Sequence, residues 1–209
     1  MNKAVQTPKS RFRSRASLVL ILSLFAAPVV IAWLLFFVFP DWSPEGATNY
    51  GQLIEPVQPL PEFEHQSVTQ ETIDKRWLGG TWNFITLQSG PCNEICIKQQ
   101  FKVRQVRLSQ GKNIGRLRRL LLWQADGVSS EKQSELQEHF PGLVIVPLSA
   151  VDMHAFVEVF SHAGEDPLNA GRLHLVDPSG FLMMSYESDD DPRGIFKDLR
   201  KLLKYSAQG

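Results

Sequence analysis

Only two cysteines, Cys92 and Cys96, occur in 209 residues. That is too few for a structural zinc site, which wants four ligands. Hydrolase and nucleotide signatures are missing as well. There is no G-x-S-x-G, no H-E-x-x-H, no Walker loop and no dinucleotide fingerprint, and Gly79-Gly80 is a lone pair that reads as a turn. Acidic residues are absent from residues 1–16, which hold Lys3, Lys9, Arg11, Arg13 and Arg15. Charge of either sign is absent from Ala16 to Pro40. Because the formal net charge is zero, the chain beyond residue 40 carries 17 Lys and Arg against 22 Asp and Glu, a net −5 that argues against a nucleic-acid partner.

The uncharged run is the next informative feature. As a helix, these residues reach roughly 37 Å, more than the ~30 Å hydrocarbon core of a bilayer. Pro28 lies inside it, which membrane spans tolerate. With the basic flank on the N-terminal side and Asp41 and Glu45 on the other, the positive-inside rule places the N-terminus in the cytoplasm and the remainder in an exoplasmic space. A signal peptide processed near Phe25-Ala26-Ala27 is the competing reading. The apolar run continues from Val29 to Phe39, however, and a signal-peptide core is only about 7–15 residues, so a retained anchor is expected.

The expected organisation is a basic cytoplasmic tail over 1–16, a transmembrane helix over 17–40, a tether over 41–75 rich in Pro, Gly and Glu, and one α/β domain over 76–207. Within the tether, short ordered pieces are expected around Tyr50–Ile54. In the domain, strands are predicted at Trp82–Leu87, Leu117–Trp123 and Leu143–Val146. A hairpin is predicted from Leu173–Val176 and Phe181–Tyr186 around the type I turn Asp177-Pro178-Ser179-Gly180. Helices are predicted after Pro91, at the capping box Ser130-Glu131-Lys132-Gln133, after Ser149, and after the cap Asp191 with Pro192 at its first position. A dithiol opening the first helix after the first strand is the thioredoxin-like arrangement. Right-handed crossovers then make the early strands parallel, with helices on both sheet faces.

Four residues make one helical turn, so on a helix the two sulfurs share a face and could close a disulfide or grip one soft ion such as Cu(I). With Pro91 as first helical residue, Cys92 falls in the first turn. There the free N–H groups and the helix dipole favour a thiolate, and Cys96 becomes the resolving thiol. A purely structural disulfide is the bland alternative. Its loop is so small that it would be a poor staple.

Gly80-Thr81-Trp82-Asn83-Phe84-Ile85 leading to Cys92-Asn93-Glu94-Ile95-Cys96, with Leu175-Val176-Asp177-Pro178-Ser179-Gly180 further on, resembles the Sco/SenC family. Over about 76–205 the resemblance implies a membrane-anchored thioredoxin-like protein that assists assembly of the copper site of cytochrome c oxidase. It implies copper held by Cys92, Cys96 and a distal histidine. It also implies an oxidase subunit or its assembly factors as partner, and a place in the inner (cytoplasmic) membrane with the domain in the periplasm. Two positions depart from the family. Ile97 stands where the family has proline, and the interval Asp166-Pro167-Leu168-Asn169-Ala170-Gly171 holds no histidine, so the third copper ligand is not carried over. His154, His162 and His174, with the soft Met153, Met183 and Met184, are the candidate replacements; His65 and His139 have less support. Three functions stay open: a thiol–disulfide reductant, a Cu(I) handler, and a non-catalytic scaffold that keeps the fold and binds an assembly partner.

Overall fold

Strand alternation sets the layers of this protein. On β4 (Trp82–Ser89), Trp82 and Phe84 enter one apolar cluster while Ile85 and Leu87 enter another on the opposite face, because successive side chains leave a strand on opposite sides. Both faces are therefore covered, as expected for a strand with parallel neighbours. The structure, a computed structural model, describes residues 9–38, 49–124, 126, 128–161, 166–168 and 171–206. It comprises two units, Met1–Ala47 and Thr48–Gly209.

In the first unit, α1 (Lys9–Val38) is an unbroken helix through Pro28. Its segment Arg15–Leu35 is long and apolar enough to cross a membrane.

The second unit is a six-stranded mixed sheet that starts at the edge with β1 (Gln52–Pro59), in the order β1-β8-β7-β4-β5-β6. β4, β5 (Leu117–Gln124) and β6 (Leu143–Leu148) run parallel; β7 (Leu173–Val176) and β8 (Phe181–Tyr186) form the expected hairpin, antiparallel to β4. Three helices cover one face: α3 (Glu94–Ser109), α4 (Ser130–His139) and α6 (Pro192–Tyr205). The other face is covered by α5 (Ala150–Phe160), whose Met153, Phe156 and Phe160 pack on Ile85, Leu120 and Val146. Ser149 and Asp191 cap their helices with side-chain oxygens as expected, while α4 is capped by Ser129, one residue ahead of the Ser130 that the capping box suggests.

Two local expectations are revised. Part of the stretch read as a tether is folded: β1 (Gln52–Pro59) pairs antiparallel with β8, and β2 (Glu64–Gln66) with β3 (Thr72–Asp74), ahead of the one-turn helix α2 (Lys75–Leu78). Its prolines are compatible with a strand because β1 lies at the sheet edge, where one row of N–H groups needs no partner. Ile54, Leu60, Ile73 and Leu78 supply the apolar residues that hold this stretch on the α5 face. Residues 41–48 lie outside the described residues. The second revision is the start of α3, which begins at Glu94 with Asn93 as N-cap, so Pro91 and Cys92 precede the helix.

The entry of the chain into this unit is fixed by a buried carboxylate. Asp198 on α6 accepts hydrogen bonds from the backbone N–H groups of Tyr50 (2.7 Å) and Gly51 (2.9 Å) and from the Tyr186 hydroxyl (3.4 Å). Burial, then the Asp198 charge, pushes the Tyr186 phenol well above its ordinary range. Arg172, 3% exposed, donates to Gln52 (3.1 Å) and Ser185 (3.0 Å) and pairs with Glu187, tying β1 to the hairpin.

Candidate functional site

The loop between β4 and α3 is held from below. Gly90, at φ +65°, makes the turn; its carbonyl accepts from the Trp123 indole N–H (2.6 Å), and its N–H donates to the Gln124 carbonyl (3.3 Å). The Gln88 amide donates to the carbonyls of Ser89 (2.7 Å) and Pro91 (3.2 Å). Asn93 then opens the helix, its side-chain oxygen accepting from the Cys96 N–H at 3.0 Å.

Cys92 and Cys96 are joined by a disulfide, with Cα atoms 5.3 Å apart. Because Cys92 lies before the N-cap, the two cysteines are not successive turns of one helix. The first-turn position expected for Cys92 belongs to Cys96, whose N–H is already capped. Exposure separates the two cysteines: Cys96 is 5% exposed, whereas Cys92 is half-buried. Cys92 opens into a groove of about 720 Å³ with an apolar floor of Ile97, Trp123 and Leu136 and a polar rim that includes Lys132, Glu135 and His139. The geometry can therefore present one sulfur to a partner while keeping the other in reserve.

The segment in which the resemblance expects a histidine reaches this loop. Gly171, at φ +61°, approaches so closely that a Cβ there would meet Ile95 Cγ2 at 2.5 Å. Ile95 sits between the two cysteines. Asn169 and Ala170 lie outside the described residues, as does His162. The other candidate ligands are dispersed. His174 is fully buried on β7, edge-on to Phe160 at 4.6 Å, on the sheet face opposite α3. Met153 and Met184 are core residues, and Met183 packs against the core. His154 is exposed beside Glu158, and His65 stacks on Phe63. Among the described residues, no group of three or more His, Cys, Asp or Glu is placed to hold a metal ion, so they do not build the three-ligand copper site that the resemblance implies.

Sequence reasoning missed Trp123, Gln88 and Asn93 as supports of the cysteine loop. Asn93 had a readable signal, since asparagine before a glutamate is a favoured N-cap; Pro91 two residues earlier competed for the same role. His139 received least weight but lines the groove beside Cys92. Nothing in its spacing could reveal that, because the groove is assembled from β5, α4 and the cysteine loop.

A parallel-centred sheet with a terminal hairpin, helices on both faces and a dithiol loop after the central strand define a thioredoxin-like domain. Residues 82–206 match the family described as transmembrane-like, thioredoxin-like, C-terminal domain, and the chain belongs to that family. No curated protein matches the sequence. Among solved structures, the fold is Sco-like. Yeast Sco1 with copper bound aligns at TM-score 0.62 and 14% identity over 74% of this chain and 97% of its own. Bradyrhizobium japonicum ScoI with copper bound aligns at 0.57 and 13% over 68% and 98%. BsSco, described with a disulfide switch as a member of the Sco family of cytochrome c oxidase assembly proteins, aligns at 0.58 and 14% over 74% and 99%.

Proposed function

We propose that this protein is a membrane-anchored thiol–disulfide protein assisting assembly of the cytochrome c oxidase copper site, with its domain on the exoplasmic (periplasmic) side of the inner membrane. The observation that carries the reading is the asymmetry of the Cys92–Cys96 bridge, one cysteine lining a groove and the other buried. In the reduced protein, the Cys92 thiolate attacks one sulfur of a partner's disulfide, and the partner's other sulfur leaves as a thiolate that takes up a proton. Cys96, losing its proton, then attacks Cys92 in the mixed disulfide. This releases the second partner thiol and regenerates the Cys92–Cys96 bridge. Two electrons pass to the partner, and one disulfide is exchanged for another. The likeness to BsSco, described as a member of a family of cytochrome c oxidase assembly proteins, supports an oxidase-assembly partner, and an oxidising exoplasmic space is where such a bridge persists.

Copper enters this reading as cargo. The reduced pair offers two soft thiolates, a donor set suited to Cu(I).

The test is a thiol count on the full chain in detergent across a glutathione redox series, followed by anaerobic Cu(I) titration of the reduced form. A reversible two-thiol transition supports the exchange role. Stoichiometric copper that is lost in both Cys92→Ser and Cys96→Ser adds the cargo role. Oxidase assembly that survives both substitutions leaves only a scaffold.

A further inference from the structure

We propose that the basic face of α6 docks on the anionic phospholipid headgroups of the bilayer into which the chain's own helix is anchored. The proposal rests on the reading of α1 as a membrane anchor.

Lys197, Arg200, Lys201 and Lys204 recur at helical spacing and line one groove of about 630 Å³, bordered by the rings of Tyr50 and Tyr205. The one acidic residue within α6, Asp198, is 3% exposed and engaged with backbone N–H groups, so it does not neutralise this surface. The chain beyond residue 40 is net negative, so the cations are gathered here against the prevailing charge. Tyr50 and Tyr205 are 56% and 78% exposed. Tyrosine at the margin of a basic surface suits the headgroup layer, where an amphipathic ring has an apolar and a wet side. Lys197 donates to the Tyr50 hydroxyl at 2.9 Å, and that hydrogen bond holds its ammonium above the ordinary lysine value.

Chain length supplies the second argument. Tyr50 borders the groove and lies only twelve residues after Val38, the last residue of α1. Fully extended chain covers about 3.6 Å per residue, which keeps Tyr50 within about 43 Å of the helix end. A tether this short turns weak headgroup attraction into an intramolecular event at high effective concentration. The groove shares no lining residue with the one beside Cys92, so the two are separate surfaces.

The experiment uses the full chain reconstituted in phosphatidylcholine vesicles, with or without about one-third phosphatidylglycerol, and reads lysine reactivity toward an amine reagent peptide by peptide. Lys98 and Lys132, exposed on α3 and α4, serve as internal references. Polybasic attraction predicts that reactivity of Lys197, Lys201 and Lys204 falls about three-fold or more in the anionic vesicles alone and returns in about 0.5 M salt, with the references unchanged. Equal reactivity in both vesicles overturns the proposal. So does protection already present in detergent, which assigns the face to a second copy of the chain, and protection by inorganic phosphate alone, which assigns it to a free anion. Flotation with neutral vesicles reads the anchor separately. Failure to float overturns the anchor and the proposal together, whereas flotation with equal lysine reactivity overturns the proposal alone.

Discussion

Asp198 shows how much a single side chain can hold in this fold. Its Oδ2 gathers the N–H groups of Tyr50 and Gly51 and the Tyr186 hydroxyl, so removing it strands donors in a buried place. Asp198→Ala is expected to cost about 2–4 kcal/mol, since unsatisfied buried donors lose their full solvation, and a denaturant melt of the full chain in detergent measures it. Tyr186 makes the same region sensitive to alkali. An unfolded tyrosine titrates near ~10, while burial and Asp198 hold the folded phenol higher. Above that pH the unfolded chain releases a proton that the folded chain keeps, so stability present below about pH 10 is lost as pH rises further. Stability should therefore fall more steeply above pH 10 in the parent than in Tyr186→Phe; parallel curves would remove Tyr186 from the explanation. Residues of this kind are hard to see in a sequence, because Asp198 reads as one more charge on an amphipathic helix. Cys92 and Cys96 were legible, being the only thiols, but their unequal exposure was not: it depends on Asn93 starting the helix between them.

At the scale of elements, the pattern was readable wherever one period dominated. The apolar runs of β4, β5 and β6, the Asp-Pro-Ser-Gly hairpin and the amphipathic α6 follow directly from alternation, turn chemistry and capping. β1 was legible only at its start, around Tyr50–Ile54, because Pro56 and Pro59 and its exposed residues look like linker; only its place at the sheet edge reconciles proline with a strand. The start of α3 moved because two residues competed for the cap. Asn93→Ala tests that competition. Losing an N-cap typically costs about 1 kcal/mol, so a small loss of stability is expected, with faster alkylation of reduced Cys96 as the first turn frays. An unchanged Cys96 rate would mean that packing alone holds this turn.

For the whole molecule, a thioredoxin-like unit follows a helix able to cross a bilayer, and the proposed orientation, with the basic N-terminal flank left in the cytoplasm, is what the positive-inside rule predicts. Protease added to the exoplasmic side of intact spheroplasts should digest the unit from residue 49 onward and spare the N-terminal tail; the reverse pattern would put the dithiol in a reducing compartment and remove the proposed chemistry. A third copper ligand was not legible, because the interval Asp166-Pro167-Leu168-Asn169-Ala170-Gly171, where the resemblance expects a histidine, holds none. The most direct test of the account compares two single-cysteine variants of the full chain under oxidised glutathione. Cys96→Ser should form a glutathione adduct on Cys92 readily, while Cys92→Ser, left with the buried Cys96, should react at least about ten-fold more slowly, as thiol access dictates. Equal rates, or faster reaction at Cys96, would contradict the assignment of Cys92 as the attacking sulfur.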